Sequence, residues 1–280
     1  LHTGFTTGSC ATAAAKAALV ALLTGKKVDG IDFRIPDGET MHMQIESVTT
    51  CGDAAIATVV QDAGDEPDVT NRSRISVKVS YAQHEGIRFF GGEGIGTVTI
   101  PGLGLPVGEA AINPIPRAMM VSELSSLYNG GLDVTISLDG GAEIAKRTFN
   151  PRVGVFGGVS IIGTSGIVQP FSHEAFLESI RREMKVALAN NCQMVAVNSG
   201  AKSEQFMKAL LPELPQQAFI HYGNAIGETM SIAMDCGIKH LIIGLMLGKA
   251  VKLAEGNLDT HSHKVTINKE FLKSMAEECG

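Results

Sequence analysis

The stretch "MVAVNSGAKSEQFMKALLPELPQQAFIHYGNAIGETMSIAMDCGIKHLIIGLML", residues 194–247, decides the reading of the fold. Short apolar runs ("MVAVNSG", "AFIHYG", "HLIIGLML") alternate with two segments of helical length and composition ("SEQFMKALL", "AIGETMSIAMDCG"). Strands joined by helical crossovers run parallel, with helices covering both faces. Upstream, "RVGVFGG" reads as another short buried strand. "SHEAFLESIRREMKVALANN" reads as a helix with Ser172 as N-cap and Glu174 in its first turn. Its Phe176, Ile180, Met184, Ala187 and Leu188 share one face. Four β–α repeats are therefore expected. In such sheets ligands sit at the carboxyl ends of the strands. The segments there are "GGVSIIGTSG", "NSGAKS", "GNAIG" and "GKAVKLAEGNLDTHS".

Residues 26–148 have another rhythm. "TMHMQIESV" alternates at period two and "AAIATVVQD" follows the turn "TTCGD", which suggests a hairpin. "RISVKVSY", "GTVTI" and "LDVTISL" read as further strands. "NPIPRAMMVSELSSLYNGG" reads as a helix beginning near Pro114–Pro116, with Gly130 as its terminating glycine. The expected fold class is α/β. An N-terminal α+β two-layer domain spans 1–148, and a C-terminal Rossmann-like three-layer domain with a mostly parallel sheet spans 149–280.

Composition narrows the function classes. Of the 280 residues 44% are hydrophobic, enough for a sizeable core. Aromatics are 5%, Trp is absent, net charge is −6, and the most basic run is Lys26–Lys27, so no nucleic-acid surface is expected. An anionic ligand would need a few placed arginines and backbone N–H groups. The five cysteines are odd in number, scattered and without C-x-x-C, which reads as reduced thiols in a cytoplasm. No signal-peptide pattern is read. The longest apolar run, "HLIIGLMLGKAV", is too short to span a bilayer, so no membrane partner is expected.

Six motifs carry candidate chemistry, each with an ordinary alternative. "GGVSIIGTSG" holds Gly157, Gly158, Ser160, Gly163, Thr164, Ser165 and Gly166. It is not a dinucleotide fingerprint; it is a cofactor loop or a loop of forced positive φ angles. "HYGNAIGE" offers Gly223, Asn224 and Gly227 as a ligand loop or a tight turn, with Glu228 facing a ribose or solvent. "DTHSH" gathers Asp259, Thr260, His261 and His263, as a substrate-facing loop or a plain surface loop. A third metal ligand is not evident there, so no metal is expected. "TGFTTGSCATAAAKAALVALLTG" places Thr6, Thr7, Ser9 and Cys10 at the mouth of an Ala-rich helix. Cys10 is a nucleophile or a buried structural thiol. "GGEGIGTVTIPG" is a lid or a bulged strand edge, and "INPIPR" sets Asn113 and Arg117 at a helix start, to hold a carboxylate or to face solvent. His42, His84, His173 and His240 read as surface or satisfied side chains.

Four of these motifs together resemble the CbiD family of anaerobic cobalamin biosynthesis: "GFTTGSCATAAAKAAL", "GGEGIGTVTIPGL" with "AINPIPR", "TFNPRVGVFGGVSIIGTSGIVQP" and "GKAVKLAEGNLDTHS". They come in the family's order and cover about Thr3 to Ser262; Ser165 stands where the family often has Thr. The resemblance implies an S-adenosylmethionine-dependent methyltransferase that acts on carbon 1 of cobalt-precorrin-5B to give cobalt-precorrin-6A. The partner implied is a cobalt-bearing tetrapyrrole, and its cobalt belongs to the substrate. There is room for a homodimer and for transient contact with other enzymes of the pathway.

On that premise the donor is expected on the Gly157–Gly166 and Gly223–Gly227 loops, and the acceptor between domains. Thr6, Thr7, Ser9 and Cys10, with Asn113 and Arg117, are expected to meet substrate carboxylates through helix N–H groups and hydroxyls. Asp259, Thr260 and His261 are the catalytic candidates. The alternatives are a non-catalytic corrinoid carrier and a hydrolase using Cys10; a nicotinamide oxidoreductase is weaker, its fingerprint missing.

Overall fold

A computed structural model describes residues 1–261 and 263–279. Ser262, within the polar "DTHSH" run, and Gly280 lie outside the described residues. The chain divides into two compact units, Leu1–Phe171 and Ser172–Gly280.

The first unit is built on an apolar helix. β1 (Gly4–Phe5) leads into α1 (Thr7–Thr24). Alanine spacing all round this helix lets neighbours approach from every side, and 13 of its 18 residues are buried. By length and composition α1 could cross a membrane, and "HLIIGLMLGKAV" could not; yet 72% of the helix is buried inside the protein, as in a core helix. Gly25, at φ 68°, ends it by donating its N–H to the Ala21 carbonyl.

β2 (Gly30–Arg34) and β3 (Thr40–Gln44) form an antiparallel pair. β4 (Ser47–Cys51), β5 (Ala54–Val60), β6 (Arg74–Ala82) and β7 (Ile87–Gly91) follow. Next come β8 (Thr97–Val98), α2 (Pro114–Ser125), β9 (Gly131–Leu138) and the short α3 (Gly141–Ala145). The main sheet has the order β4-β5-β6-β9-β7, antiparallel except where β7 runs parallel to β9. Alternate residues along three strands are buried on one core with α1: Ala55, Ala57 and Val59, then Ile75, Val77 and Val79, then Leu132, Val134, Ile136 and Leu138.

Two expectations fail here for local reasons. "TMHMQIESV" is not one strand. The Ile45 N–H bonds back to the Asp29 carbonyl while the Glu46 N–H bonds to the Thr58 carbonyl, so the run changes sheets at that point. Gly130 does not end α2, whose C-cap is Ser126.

β10 (Val155–Phe156) pairs antiparallel with β8, and β11 (Ile167–Val168) with β1. "RVGVFGG", expected as the first parallel strand, is thus a two-residue strand of the first unit. Gly154 and Gly157, at φ 74° and 85°, cut it short. Both pairings hold residues 149–171 in the first unit, so the division falls after Phe171 rather than at 148/149.

The second unit runs α4 (His173–Ala189), β12 (Met194–Asn198), α5 (Ala201–Leu210), β13 (Phe219–His221), α6 (Ile226–Cys236), β14 (His240–Gly244), α7 (Leu247–Ala254) and α8 (Lys269–Cys279). Its three strands are parallel in the order β13-β12-β14. Val195 and Val197 of β12 pack with Ile180, Met184, Ile232 and Ala233 of α4 and α6. Ala196, between them, joins Met207 of α5 and Phe219 in a separate cluster, so helices cover both faces. The molecule is a mixed α/β protein with several separate sheets, and its parallel sheet has three strands where four were expected.

Candidate functional site

Two helix starts and one loop converge in the first unit. Thr6 is the N-cap of α1, accepting the Ser9 N–H at 3.2 Å. The Gly8 N–H donates to the Ile162 carbonyl at 2.8 Å, and the Cys10 N–H to the Thr6 carbonyl. The Thr7 hydroxyl donates to the Ile162 carbonyl at 3.2 Å and accepts from the Ile162 N–H at 3.0 Å. The Ser9 hydroxyl donates to the Gly166 carbonyl at 2.6 Å. So the hydroxyls and the Gly8 N–H expected to meet a ligand carboxylate are taken by the 162–166 loop, and the Ser9 and Cys10 N–H groups by Thr6. Asn113, the N-cap of α2, donates its backbone N–H to the Ile161 carbonyl and makes no side-chain cap bond.

The loop's glycines are explained by crowding. A Cβ on Gly158 would lie 2.3 Å from the Gly94 carbonyl oxygen, one on Gly163 2.2 Å from Thr6 Oγ1, and one on Gly166 2.7 Å from Ile35. Gly157 alone of the four opens onto free space. The Ser160 hydroxyl bonds to Asn150 Oδ1 at 3.2 Å. Thr164 and Ser165 are exposed, as are Ile162 and Ile115 near them, while Pro116 of α2 and the Ile162 carbonyl both abut Gly8.

Arg117 is held inward. It donates to the Ile112 carbonyl at 2.8 Å, pairs with Glu109 at 2.7 Å and lies 5.7 Å from the centroid of the Phe89 ring. Cys10 is fully buried, and desolvation pushes its thiol up to about 12, with the Asp62 charge adding to the effect. It stays a neutral thiol at any ordinary pH, and a nucleophile's role does not suit it.

In the second unit the turn after β13 meets the segment after α7. Ala225 bridges Asp259, the Thr260 N–H donates to the Asn224 carbonyl at 3.3 Å, and the Gly227 N–H donates to the Leu258 carbonyl at 3.1 Å. Gly223 has φ 58°, and Gly227 needs its missing Cβ because one would meet Leu258 at 2.9 Å. Asn198, at the end of β12, is fully buried with no partner for its Oδ1. Thr260 is 2% exposed, and among the described residues its hydroxyl also lacks a partner.

Lys249 of α7 donates to the Gly223 carbonyl and stands 5.6 Å from the Tyr222 ring centroid. Burial pulls its ammonium pKa down, and Lys252 lowers it further. Asp259 accepts from Lys264 at 2.6 Å and from the His261 N–H at 3.0 Å, and these bonds hold its carboxyl below the usual range.

Thus Asp259, Thr260 and His261 come together with Asn224 and Gly227, all in the second unit, whereas Gly157–Gly166 gathers with Thr6–Cys10 and Asn113 in the first. The two expected donor loops are carried by different units. Glu228 pairs with His173 at 3.2 Å, and His42 and His84 are satisfied by Asp32 and Asp133. The rings of His261 and His263 stack edge to face at 5.0 Å. Among the described residues no group of three or more His, Cys, Asp or Glu gathers to hold a metal ion.

Sequence reasoning passed over Asn198, Tyr222, Lys249 and Lys252. The signal was present, because all four lie in or beside segments expected at strand ends. A helical lysine, though, reads as solvent-facing unless its burial is known.

The CbiD family model matches residues 1–170. A cobalt-precorrin-5B C(1)-methyltransferase of Prosthecochloris aestuarii is 45% identical over 100% of this chain and 78% of its own length. One of Geobacillus thermodenitrificans is 45% identical over 100% and 77%, and one of Thermus thermophilus 42% over 99% and 75%. A solved structure of a cobalamin biosynthesis protein (cbiD) from Archaeoglobus fulgidus is 26% identical over 94% of this chain and 82% of its own, with TM-score 0.49.

Proposed function

This chain belongs to the CbiD family, and from that premise we infer that it transfers a methyl group to C1 of cobalt-precorrin-5B. The observation that carries the reading is 45% identity along the whole chain with enzymes of that name.

We take S-adenosylmethionine as the donor. Its sulfonium methyl is already activated: the S–CH3 bond breaks as the new C–CH3 bond forms, and the electron pair returns to sulfur. A ring carbon of enamine character needs little help from acid or base. The chain's own work is then to align, to hold and to keep water out.

We read the second unit as Rossmann-like and place the donor at the carboxyl ends of its strands. The residues there fit such a ligand. The buried Asn198 Oδ1 and Thr260 hydroxyl lack partners among the described residues, and the turn Gly223–Gly227 carries Asn224, whose carbonyl accepts the Thr260 N–H. For the tetrapyrrole we assign the exposed surface of the first unit formed by Thr164 and Ser165, with the Asn113 side chain and the apolar Ile115 and Ile162. Thr6, Thr7 and Ser9 then act by fixing this loop, Cys10 by packing beneath it, and Arg117 by holding residues 109–112 in place. An exposed free thiol, Cys51, suits a reducing cytoplasm.

The test is an anaerobic incubation with cobalt-precorrin-5B and methyl-labelled S-adenosylmethionine, read by mass spectrometry. Label on the tetrapyrrole is the expected result. Tetrapyrrole that binds but stays unlabelled, beside an active control methylase, would make the chain a carrier.

A further inference from the structure

One set of buried and half-buried polar groups in the second unit has no structural explanation. Lys249 and Lys252 lie three residues apart on α7, one turn of helix, and so share a side. Lys252 is 6% exposed, and among the described residues its ammonium meets only the Thr260 carbonyl, at 3.3 Å. The Lys249 ammonium meets the Gly223 carbonyl and the face of Tyr222, itself 1% exposed. An ammonium has three donors, so each has capacity left over. Among the described residues neither forms an ion pair with a carboxylate. Asp259, the acidic group that acts on Lys249, is bound by Lys264 at 2.6 Å. Beside them the Thr260 hydroxyl is buried without a partner among the described residues.

Two like charges at this spacing repel, and burying Lys252, or half-burying Lys249, without a counter-ion is costly. A protein of net charge −6 has carboxylates to spare, yet among the described residues none pairs directly with either ammonium, and the nearby Asp259 is engaged by Lys264. The missing component is an anion. Two point-like ammoniums and one hydroxyl suit a small oxyanion with a polar edge, and the Tyr222 ring offers an apolar wall to the carbon chain that bears it.

We propose that Lys249, Lys252 and the Thr260 hydroxyl form a carboxylate-binding site at the strand ends of the second unit. The site rests on the methyltransferase reading and adds a named contact to it. Two molecules of that reaction carry carboxylates: the aminoacyl end of the donor and the acetate and propionate arms of the tetrapyrrole.

Isothermal titration calorimetry on the full chain separates them, using S-adenosylhomocysteine and its decarboxylated analogue. The wild type is compared with Lys252→Met, which keeps the buried volume, and with the half-buried Lys249→Gln, which guards against misfolding of the first. If the donor supplies the carboxylate, each substitution weakens S-adenosylhomocysteine by about tenfold or more and leaves the decarboxylated analogue within about threefold. If the tetrapyrrole supplies it, both adenosyl ligands keep their affinity and the tetrapyrrole KM rises about tenfold at constant kcat. The site is refuted if folded Lys249→Gln and Lys252→Met match the wild type in both affinities and in KM. A wild type that binds S-adenosylhomocysteine through these lysines but transfers no methyl group would count against the methyltransferase reading and leave the site standing.

Discussion

The mouth of α1 and the strand ends of the second unit look alike as sequence, both rich in glycine, hydroxyls and a helix start. In the molecule they differ in what is left over. At the α1 mouth the hydroxyls of Thr6, Thr7 and Ser9 and the N–H groups of Gly8, Ser9 and Cys10 are bonded within the protein. At the strand ends, Asn198 Oδ1 and the Thr260 hydroxyl are buried and unpartnered among the described residues, and the Lys249 and Lys252 ammoniums form no ion pair there. Buried polar groups are nearly always hydrogen-bonded, so exceptions point to something the folded chain expects to receive. The glycines of 158–166 face protein, so crowding within the fold accounts for them.

The largest predicted effect tests the crowded side. Gly94 has φ 76°, and a Cβ there would lie 2.0 Å from the Leu138 carbonyl oxygen. Gly94→Val is expected to cost about 4 kcal/mol, read as a lower urea midpoint or failure to fold. Near-wild-type stability would mean that the loop packing is loose and the comparison misjudged.

Next in size is Ser9→Ala, which removes the 2.6 Å bond to Gly166 from a buried site. It should cost about 1–2 kcal/mol and raise the tetrapyrrole KM with little change in S-adenosylhomocysteine affinity. An unchanged melting curve with lost ligand affinity would instead make Ser9 a direct contact.

Cys10→Ala sharpens the same point and should keep full methyl transfer. The folded thiol is raised to about 12 from an unfolded value of about 8.5. Its contribution to stability is complete below the unfolded value and is lost as pH rises through the folded one. The wild type should therefore show an alkaline loss of stability, above about pH 9, that Cys10→Ala lacks, and an alkylating reagent should reach Cys10 only on unfolding. Fast labelling of the native protein would revive the hydrolase.

The smallest effect belongs to Asp259→Asn. Its depressed carboxyl contributes stability above the unfolded pKa and loses it as pH falls through the lower folded value. The pair with Lys264 is solvent-exposed, so the substitution should blunt acid unfolding only slightly, and less at high salt. A large loss, independent of salt, would show that Asp259 anchors the strand-end segment.

Much of this was legible in the sequence, for identifiable reasons. Helix-period patterns read correctly, and Ser172 does cap α4, accepting the Ala175 N–H, while Gly130 lies beyond the Ser126 that ends α2. The parallel strands from Met194 to Gly244 were readable because crossover helices force that direction. "RVGVFGG" misled because a short apolar run looks the same in a buried sheet as in a two-residue edge pair. The break at Ile45 left no trace, since period two continues across it while the partner changes. Of the site, the loops could be named but not what their glycines faced. Lys249 and Lys252 were hidden because burial of a lysine is a tertiary fact.

The most direct test of the contrast between the two regions is hydrogen–deuterium exchange with and without S-adenosylhomocysteine. Protection at 198–200, 222–227 and 258–261, with 157–166 unchanged, is the predicted result. Protection confined to 157–166 would contradict it and return the donor to the first unit.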